Sequence, residues 1–387
     1  MPAPTYSTRH PAIEDLRRAA RRRIPRFAFE YLDGGCNEDV NLGRNTSDLR
    51  KVELEPRYLA PHGTPDLGTE LFGHRYSAPY GIAPIGLQGL IWPGSPEILA
   101  RAANLHNLPF VLSTVSTLSI ERASELTEGR AWFQLYHPAE DRVRDDLLQR
   151  AAAAGAPVLV LLCDVPSFGF RPRDIRNGLA MPPRSSLRNL LQILARPAWA
   201  WRTLRHGRPR FENLLPYMPE TLDLAGLGQF MDQTFAGRLD PDKIAAIRDR
   251  WQGRIVLKGV ASCEDVEQAI QLGIDGVIVS NHGGRQLDAG QSAIAALRPI
   301  VKAFAGRIPI MMDSGLRSGP DVARTLSSGA AFCFLGRTFM YSVAALGDRG
   351  GDHAAELLRV QLQQVMEQLG CDQVTDLPRF LVDSPSA

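Results

Sequence analysis

No apolar run in the 387-residue chain approaches the roughly 20 residues that a helix needs to cross a bilayer, so a transmembrane helix is excluded. Cysteine is scarce and scattered, with five residues at 36, 163, 263, 333 and 371. Such spacing suits neither a disulfide framework nor a metal site, and it predicts reduced, mostly buried thiols in a cytosolic compartment. A Gly-x-Gly-x-x-Gly motif leading from a strand into a helix is missing, which leaves a separate Rossmann domain unsupported. Net charge is small, a formal +2, and says little about nucleic acid or membranes. The polar N-terminus reaches an arginine-rich helix without an apolar core, so no secretory signal is expected. What remains, at 44% hydrophobic and 22% charged residues, is the composition of a soluble globular protein.

From Tyr80 onward the chain alternates regularly. Short apolar segments at 80–83, 109–113, 131–136, 158–163, 254–258, 276–280, 308–312 and 331–335 read as strands. Helical patterns lie between most of them, at 95–107, 119–127, 140–154, 240–251, 262–272, 290–304 and 319–328. Eight strand–helix units predict an α/β fold, a closed (β/α)8 TIM barrel, within a single domain over 1–387. Its barrel core spans about 78–350, preceded by a helical and covering segment at 10–77 and followed by a helix at 352–369 and a tail. In the N-terminal segment Ile13, Leu16 and Ala20 form one helical stripe. A second short helix bearing Phe27, Ala28, Tyr31 and Leu32 ends at Gly34-Gly35. On composition alone, Tyr31 is a core or cap aromatic.

One interval breaks the rhythm. After strand four comes a long insertion at about 177–220, rich in Arg, Pro and aromatic residues. Ten arginines stand between 171 and 210 against one acid, Asp174. Leu187, Leu190, Leu191, Leu194, Trp199 and Trp201 interleave with Arg188, Arg196 and Arg202, a pattern suited to a bilayer interface. The alternative is a helix packed on the barrel or on a neighbouring subunit, with solvated arginines.

Chemistry concentrates where strands end. The segment 274–288 runs from an apolar strand into Ser280, Asn281, His282, Gly283, Gly284, Arg285 and Asp288. A histidine exchanges protons near neutral pH, and an arginine offers a fork matched to a carboxylate. Two glycines let the backbone turn so that both face one cavity. Taken alone, the stretch reads equally well as a hydrogen-bonded turn closing a strand. The other strand ends add Ser113, Gln134 and Tyr136, then Asp164 and Arg171, then Lys258 at the end of an apolar run. A buried terminal lysine calls for an anion or cofactor. Asp164 is suited to hold a facing His282 in one tautomer. Glycine-rich turns with arginines follow strands seven (Asp313, Ser314, Gly315, Arg317) and eight (Gly336, Arg337), where barrels of this kind dock phosphate.

These residues resemble the FMN-dependent L-2-hydroxy acid dehydrogenases and oxidases, a family that includes (S)-mandelate and flavin L-lactate dehydrogenases and glycolate oxidase. Similarity runs from about residue 10 to 380. It is carried by Ser-Asn-His-Gly-Gly-Arg-Gln-Leu-Asp at 280–288, Trp132-Phe133-Gln134-Leu135-Tyr136, Leu257-Lys258-Gly259 and Asp313-Ser314-Gly315-Leu316-Arg317. The resemblance implies FMN as cofactor and no metal. It makes His282 the catalytic base, Asp164 its orienting partner, and Arg285 and Arg171 the carboxylate binders. Tyr31 and Tyr136 become substrate hydrogen-bond partners, replacing the core reading of Tyr31. Lys258 stands by the flavin N1–O2 edge, and the backbone of Pro84, Ile85 and Gly86 by N5. Ser113, Gln134, Ser280, Asp313, Ser314, Gly315, Arg317, Gly336 and Arg337 become flavin contacts, the last ones around the phosphate. Leu162 departs from the family's usual threonine, which removes one flavin hydrogen bond. Phe168 and Phe170 replace smaller or polar residues.

The implied reaction oxidises an (S)-2-hydroxy acid to the 2-oxo acid, with His282 taking either the hydroxyl proton or the Cα proton. Gly86, where many oxidases carry alanine, and the basic insertion favour a membrane quinone as acceptor over a peroxide-producing oxidase. Val115, in place of a bulky tryptophan, favours (S)-mandelate or a similar aryl acid, with L-lactate the alternative. A non-catalytic flavin-binding sensor or scaffold would be expected to lack His282, Arg285 or Lys258, and all three are present. The expected setting is a homotetramer in the cytoplasm, peripheral on the inner face of the membrane through 177–220, with no nucleic-acid partner.

Overall fold

The computed structural model describes residues 6–59, 63–179, 186–218, 230, 234–235 and 238–382. An antiparallel hairpin, β1 (Thr69–Leu71) and β2 (His74–Tyr76), precedes eight parallel strands. These are β3 (Tyr80–Ile82), β4 (Val111–Ser113), β5 (Trp132–Leu135), β6 (Val158–Leu162), β7 (Arg254–Val260), β8 (Gly276–Val279), β9 (Ile310–Met312) and β10 (Phe332–Leu335). Each pairs with its sequence neighbour from β4 to β10, and β10 pairs with β3. A parallel bridge between Ile82 and Phe110 joins β3 to the segment entering β4 and closes the ring. The protein is a (β/α)8 TIM barrel, and all eight strands fall where the apolar segments put them.

Strand periodicity sorts the side chains. Along β7, Ile255 and Leu257 pack under the helices while Val256 points into the barrel. The same alternation puts Val111, Trp132, Val158, Val160, Ile278, Met311, Phe332 and Phe334 inside. Counting on by twos, Ser113, Gln134, Tyr136, Asp164, Lys258, Ser280 and Asp313 all inherit the inward parity. They stand one layer above the apolar fill, at the ends of their strands. At the opposite end the hairpin lies against the strand starts, where Phe72 abuts Gly276 and Trp132 Nε1 donates to the Tyr76 hydroxyl at 3.2 Å.

Besides the short helices Gln88–Ile91 and Pro172–Arg176, two longer ones depart from the sequence pattern. Val40–Arg50 buries Asn41, Asn45 and Leu49, so its inner face is largely amide and carries no hydrophobic stripe. Arg337–Leu346 is buried from Thr338 to Ala344, and a helix apolar on every side shows no period. The insertion holds two helices, Leu187–Leu194 and Pro197–His206, while residues 180–185 and 219–220 of the expected interval lie outside those described. Trp199, expected among the exposed apolar residues, is instead buried. It packs edge-on against Phe27 at 5.7 Å and donates to the carbonyls of Leu90 and Ile91. Leu187, Leu190, Leu191, Leu194, Trp201 and Leu204 remain exposed, Leu187 by 73% and Trp201 by 64%. Among the described residues no helix is long and apolar enough to cross a membrane.

Closure depends on glycine at 81, where a Cβ would lie 2.5 Å from Pro109 Cγ and 2.8 Å from the Pro109 carbonyl oxygen. Gly81→Ala is therefore expected to destabilise the fold by about 1–3 kcal/mol, read as a lower midpoint of urea unfolding.

Candidate active site

The turn after β8 has an unusual backbone. His282, Gly283 and Gly284 take φ values of 57°, 68° and 73°, three left-handed residues in succession. Glycine is required at both later positions. A Cβ at 283 would lie 2.7 Å from Arg337 Nη1, and one at 284 would lie 2.5 Å from the Leu42 amide nitrogen. Ser314 Oγ ties the turn down by accepting from the amides of Asn281 and Gly283 at 3.3 and 2.9 Å. His282 Nδ1 lies 3.1 Å from Asp164 Oδ1, leaving Nε2 for a ligand proton. Burial lowers the His282 pKa against the opposing pull of Asp164. Burial would raise Asp164, but the facing His282 and Lys258 outweigh it and keep the carboxyl below its ordinary value. At neutral pH the pair is a neutral imidazole on a carboxylate, a proton acceptor ready to be stabilised once charged.

Lys258 is fully enclosed at the end of β7, 3.1 Å from both Asp313 Oδ2 and Ser280 Oγ. Desolvation lowers its pKa, yet Asp313 and Asp164 more than compensate and hold the ammonium charged. Asp313 in turn accepts from Ser314 Oγ at 2.7 Å.

Arg285 crosses to the N-terminal segment, where Nη1 donates to the carbonyls of Tyr31 and Gly34 at 2.7 Å each and the guanidinium lies 5.1 Å from the Tyr31 ring centre. The Tyr31 hydroxyl reaches the Gly86 carbonyl at 3.5 Å. Arg171 lies close by, its buried Nε without a hydrogen-bond partner among the described residues. Desolvation first, then repulsion between the two guanidiniums, brings Arg285 down to about 10, still charged at neutral pH. The Tyr136 phenol is pushed up by burial and by Asp164. Tyr31, Tyr136, Asp164, Arg171, His282 and Arg285 thus converge on one face.

The remaining positions line the same end of the barrel. Gln134 is buried with its Nε2 unpartnered among the described residues, and Ser113 stands beside it in register across β4 and β5. Pro84, Ile85 and Gly86 follow β3, and a Cβ at Gly86 would meet Val115 Cγ2 at 2.8 Å. Gly315 has φ 90°, and the loop after it meets β10's exit where Thr338 Oγ1 donates to the Arg317 carbonyl. At Gly336-Arg337, the Arg337 guanidinium donates to the carbonyls of Leu32, Gly283 and Gly34. Burial, with Arg317 nearby, lowers it to about 9. Two polar residues given no role from sequence also belong here. Asn281 bonds Asn41, Asn45 and the Gln291 carbonyl, and Gln286 bonds the loop after β6. Both lie inside the 280–288 stretch, but their partners are remote in sequence.

A model of the FMN-dependent dehydrogenase family matches residues 20–384. An L-lactate dehydrogenase from Caulobacter sp. (strain K31) is 38% identical over 369 residues, which cover 95% of this chain and 97% of that protein. One from Vibrio cholerae serotype O1 (strain M66-2) is 36% identical over 95% of this chain and 97% of its own length. Among solved structures, the monotopic membrane protein (S)-mandelate dehydrogenase superposes with a TM-score of 0.91 at 34% identity, covering 96% of this chain and 99% of its own. Mandelate oxidase gives 0.80 at 31% identity, covering 98% and 100%.

The charge state of the histidine is directly measurable. In an NMR titration, His282 should titrate below the ordinary value near 6.5, and Asp164→Asn should move it lower still, because the carboxylate is what opposes desolvation.

Proposed function

The chain belongs to the FMN-dependent dehydrogenase family, and from that premise we propose that it oxidises an (S)-2-hydroxy acid with a large apolar or aryl side chain and delivers the electrons to a membrane quinone. It is an FMN-dependent 2-hydroxy acid dehydrogenase; the substrate's side chain and the acceptor are the proposed parts. The donor set suits the cofactor. Gln134 Nε2 is a buried donor lacking a partner among the described residues, Lys258 is a buried cation, and Arg317 and Arg337 flank the glycines after β9 and β10. In this reading Ser113, Gln134, Lys258 and Ser280 hold the ring system, and Gly315, Arg317, Gly336 and Arg337 the phosphate. Pro84 to Gly86 line the reactive edge, and Asp313 and Ser314 brace Lys258 and the His282 turn. Bound there, FMN supplies the two-electron acceptor.

The protein's part is positioning and proton transfer. Arg285 and Arg171 bind the substrate carboxylate, with Tyr31 and Tyr136 as hydrogen-bond partners. His282 accepts the substrate proton on Nε2. Asp164 stabilises the imidazolium that results, and Lys258 would offset negative charge on a bound cofactor.

The observation that carries the side-chain assignment is an apolar cluster beside the catalytic face. Val115, Tyr136 and Leu162 pack there with Phe211 and Leu214 from the insertion and with Phe235 beyond it. Aromatic rings at 136 and 235 lie edge-on at 5.6 Å, a surface suited to another ring. L-lactate is the second reading, favoured by relatives named L-lactate dehydrogenase. The quinone assignment is supported by the exposed leucines and Trp201 beside arginines, by Gly86, and by similarity to a monotopic membrane protein. Contact on the cytoplasmic face, without a span, is the setting proposed.

Anaerobic stopped-flow absorbance tests the reaction. (S)-Mandelate should bleach the flavin faster than L-lactate, with rapid reoxidation by a soluble quinone analogue and slow reoxidation by oxygen. His282→Ala should keep its flavin and lose its reduction. Faster bleaching by lactate would move the substrate to the second reading, and fast reoxidation by oxygen would make the protein an oxidase. For the membrane contact, Leu190→Glu with Leu191→Glu should abolish cosedimentation with anionic lipid vesicles at unchanged turnover of a soluble acceptor. Undiminished sedimentation would remove the helix from the contact.

A further inference from the structure

Two loops deliver the catalytic face, and one amide joins them. The loop after β6 carries Asp164 and Arg171, and the loop after β8 carries His282 and Arg285. Gln286 lies between. Its Nε2 donates to the carbonyls of Asp164 at 3.2 Å and Ser167 at 3.0 Å, and its Oε1 accepts from the Gly169 amide and from Arg171 Nη2, each at 3.3 Å. With both amide hydrogens directed at carbonyl oxygens, a flipped amide would set oxygen against oxygen, so Oε1 is held toward Arg171. The loops meet so closely that a Cβ at Gly169 would overlap the Arg285 carbonyl oxygen and lie 3.1 Å from Gln286 Cα.

Arg171 has little else to fix it. Its Nη1 stands 3.9 Å from Asp174, beyond hydrogen-bond reach, and its buried Nε has no partner among the described residues. Among the described residues, the bond to Gln286 is the one hydrogen bond its guanidinium makes. We propose that Gln286 is a positioning residue for carboxylate recognition. It anchors one edge of the Arg171 guanidinium and leaves the Nε edge for the substrate carboxylate. This rests on the reading of Arg171 as a carboxylate binder.

The test uses the FMN-loaded enzyme with the preferred 2-hydroxy acid and its neutral methyl ester. Gln286→Met keeps the length of the side chain and removes its hydrogen bonds. It should raise KM for the acid about 10- to 100-fold relative to that for the ester, the scale of one hydrogen bond to a charged group, with flavin content near wild type. Gln286→Glu, which sets a carboxylate against Arg171, should raise KM for the acid at least as far. In an Arg171→Met background, Gln286→Met should add nothing to the loss for the acid. An equal loss with acid and ester, or additive losses in the double variant, would overturn the proposal. An unchanged acid-to-ester ratio in Arg171→Met alone would overturn the Arg171 reading, and this one with it.

Discussion

The site depends on a short stretch of left-handed backbone. With φ positive from His282 to Gly284, the chain reverses at the end of β8 and aims His282 and Arg285 into the mouth of the barrel. That geometry admits no Cβ at 283 or 284, because Arg337 and the backbone of Leu42 already occupy the space. The N-terminal segment is thereby drawn in. Cys36 donates its amide to the Gly284 carbonyl, and Arg285 and Arg337 both bond the Gly34 carbonyl. A segment that contributes no barrel strand thus becomes one wall of the candidate site.

Charge is the second constraint. Lys258 sits between Asp313 and Asp164 in a buried chain that ends on the neutral His282. Arg285 and Arg337 are satisfied differently, by main-chain carbonyls, which solvate a guanidinium without neutralising it. Their positive charge stays available to an anion, and desolvation raises what that anion gains. The structure thus separates a buried cluster that holds two carboxylates against one ammonium from guanidiniums solvated by main-chain carbonyls.

The barrel was legible because eight apolar segments alternate with amphipathic helices. Much of the candidate face was legible for a related reason: period-two parity carries an inward-facing valine at 256 on to Lys258, and Val160 on to Asp164. What stayed hidden rests on contacts remote in sequence. Asn41 and Asn45 make Val40–Arg50 a helix by bonding Asn281 and Leu287, more than 230 residues away. Composition shows only asparagines poor in helix propensity. The insertion was read as amphipathic, but its inner anchor was not separable from its outer face. Trp199 and Trp201 look alike in sequence, and the carbonyls of Leu90 and Ile91 distinguish them.

The hairpin under the barrel closes one of its two ends. Leu71, Phe72 and Tyr76 stop the end where the strands start, and the side chains above them fill the bore. Among the described residues that end is filled, which leaves the opposite rim as the way to the strand ends. In the proposed reaction donor and acceptor of electrons would share that rim, and turn-taking there would give parallel double-reciprocal lines rather than intersecting ones.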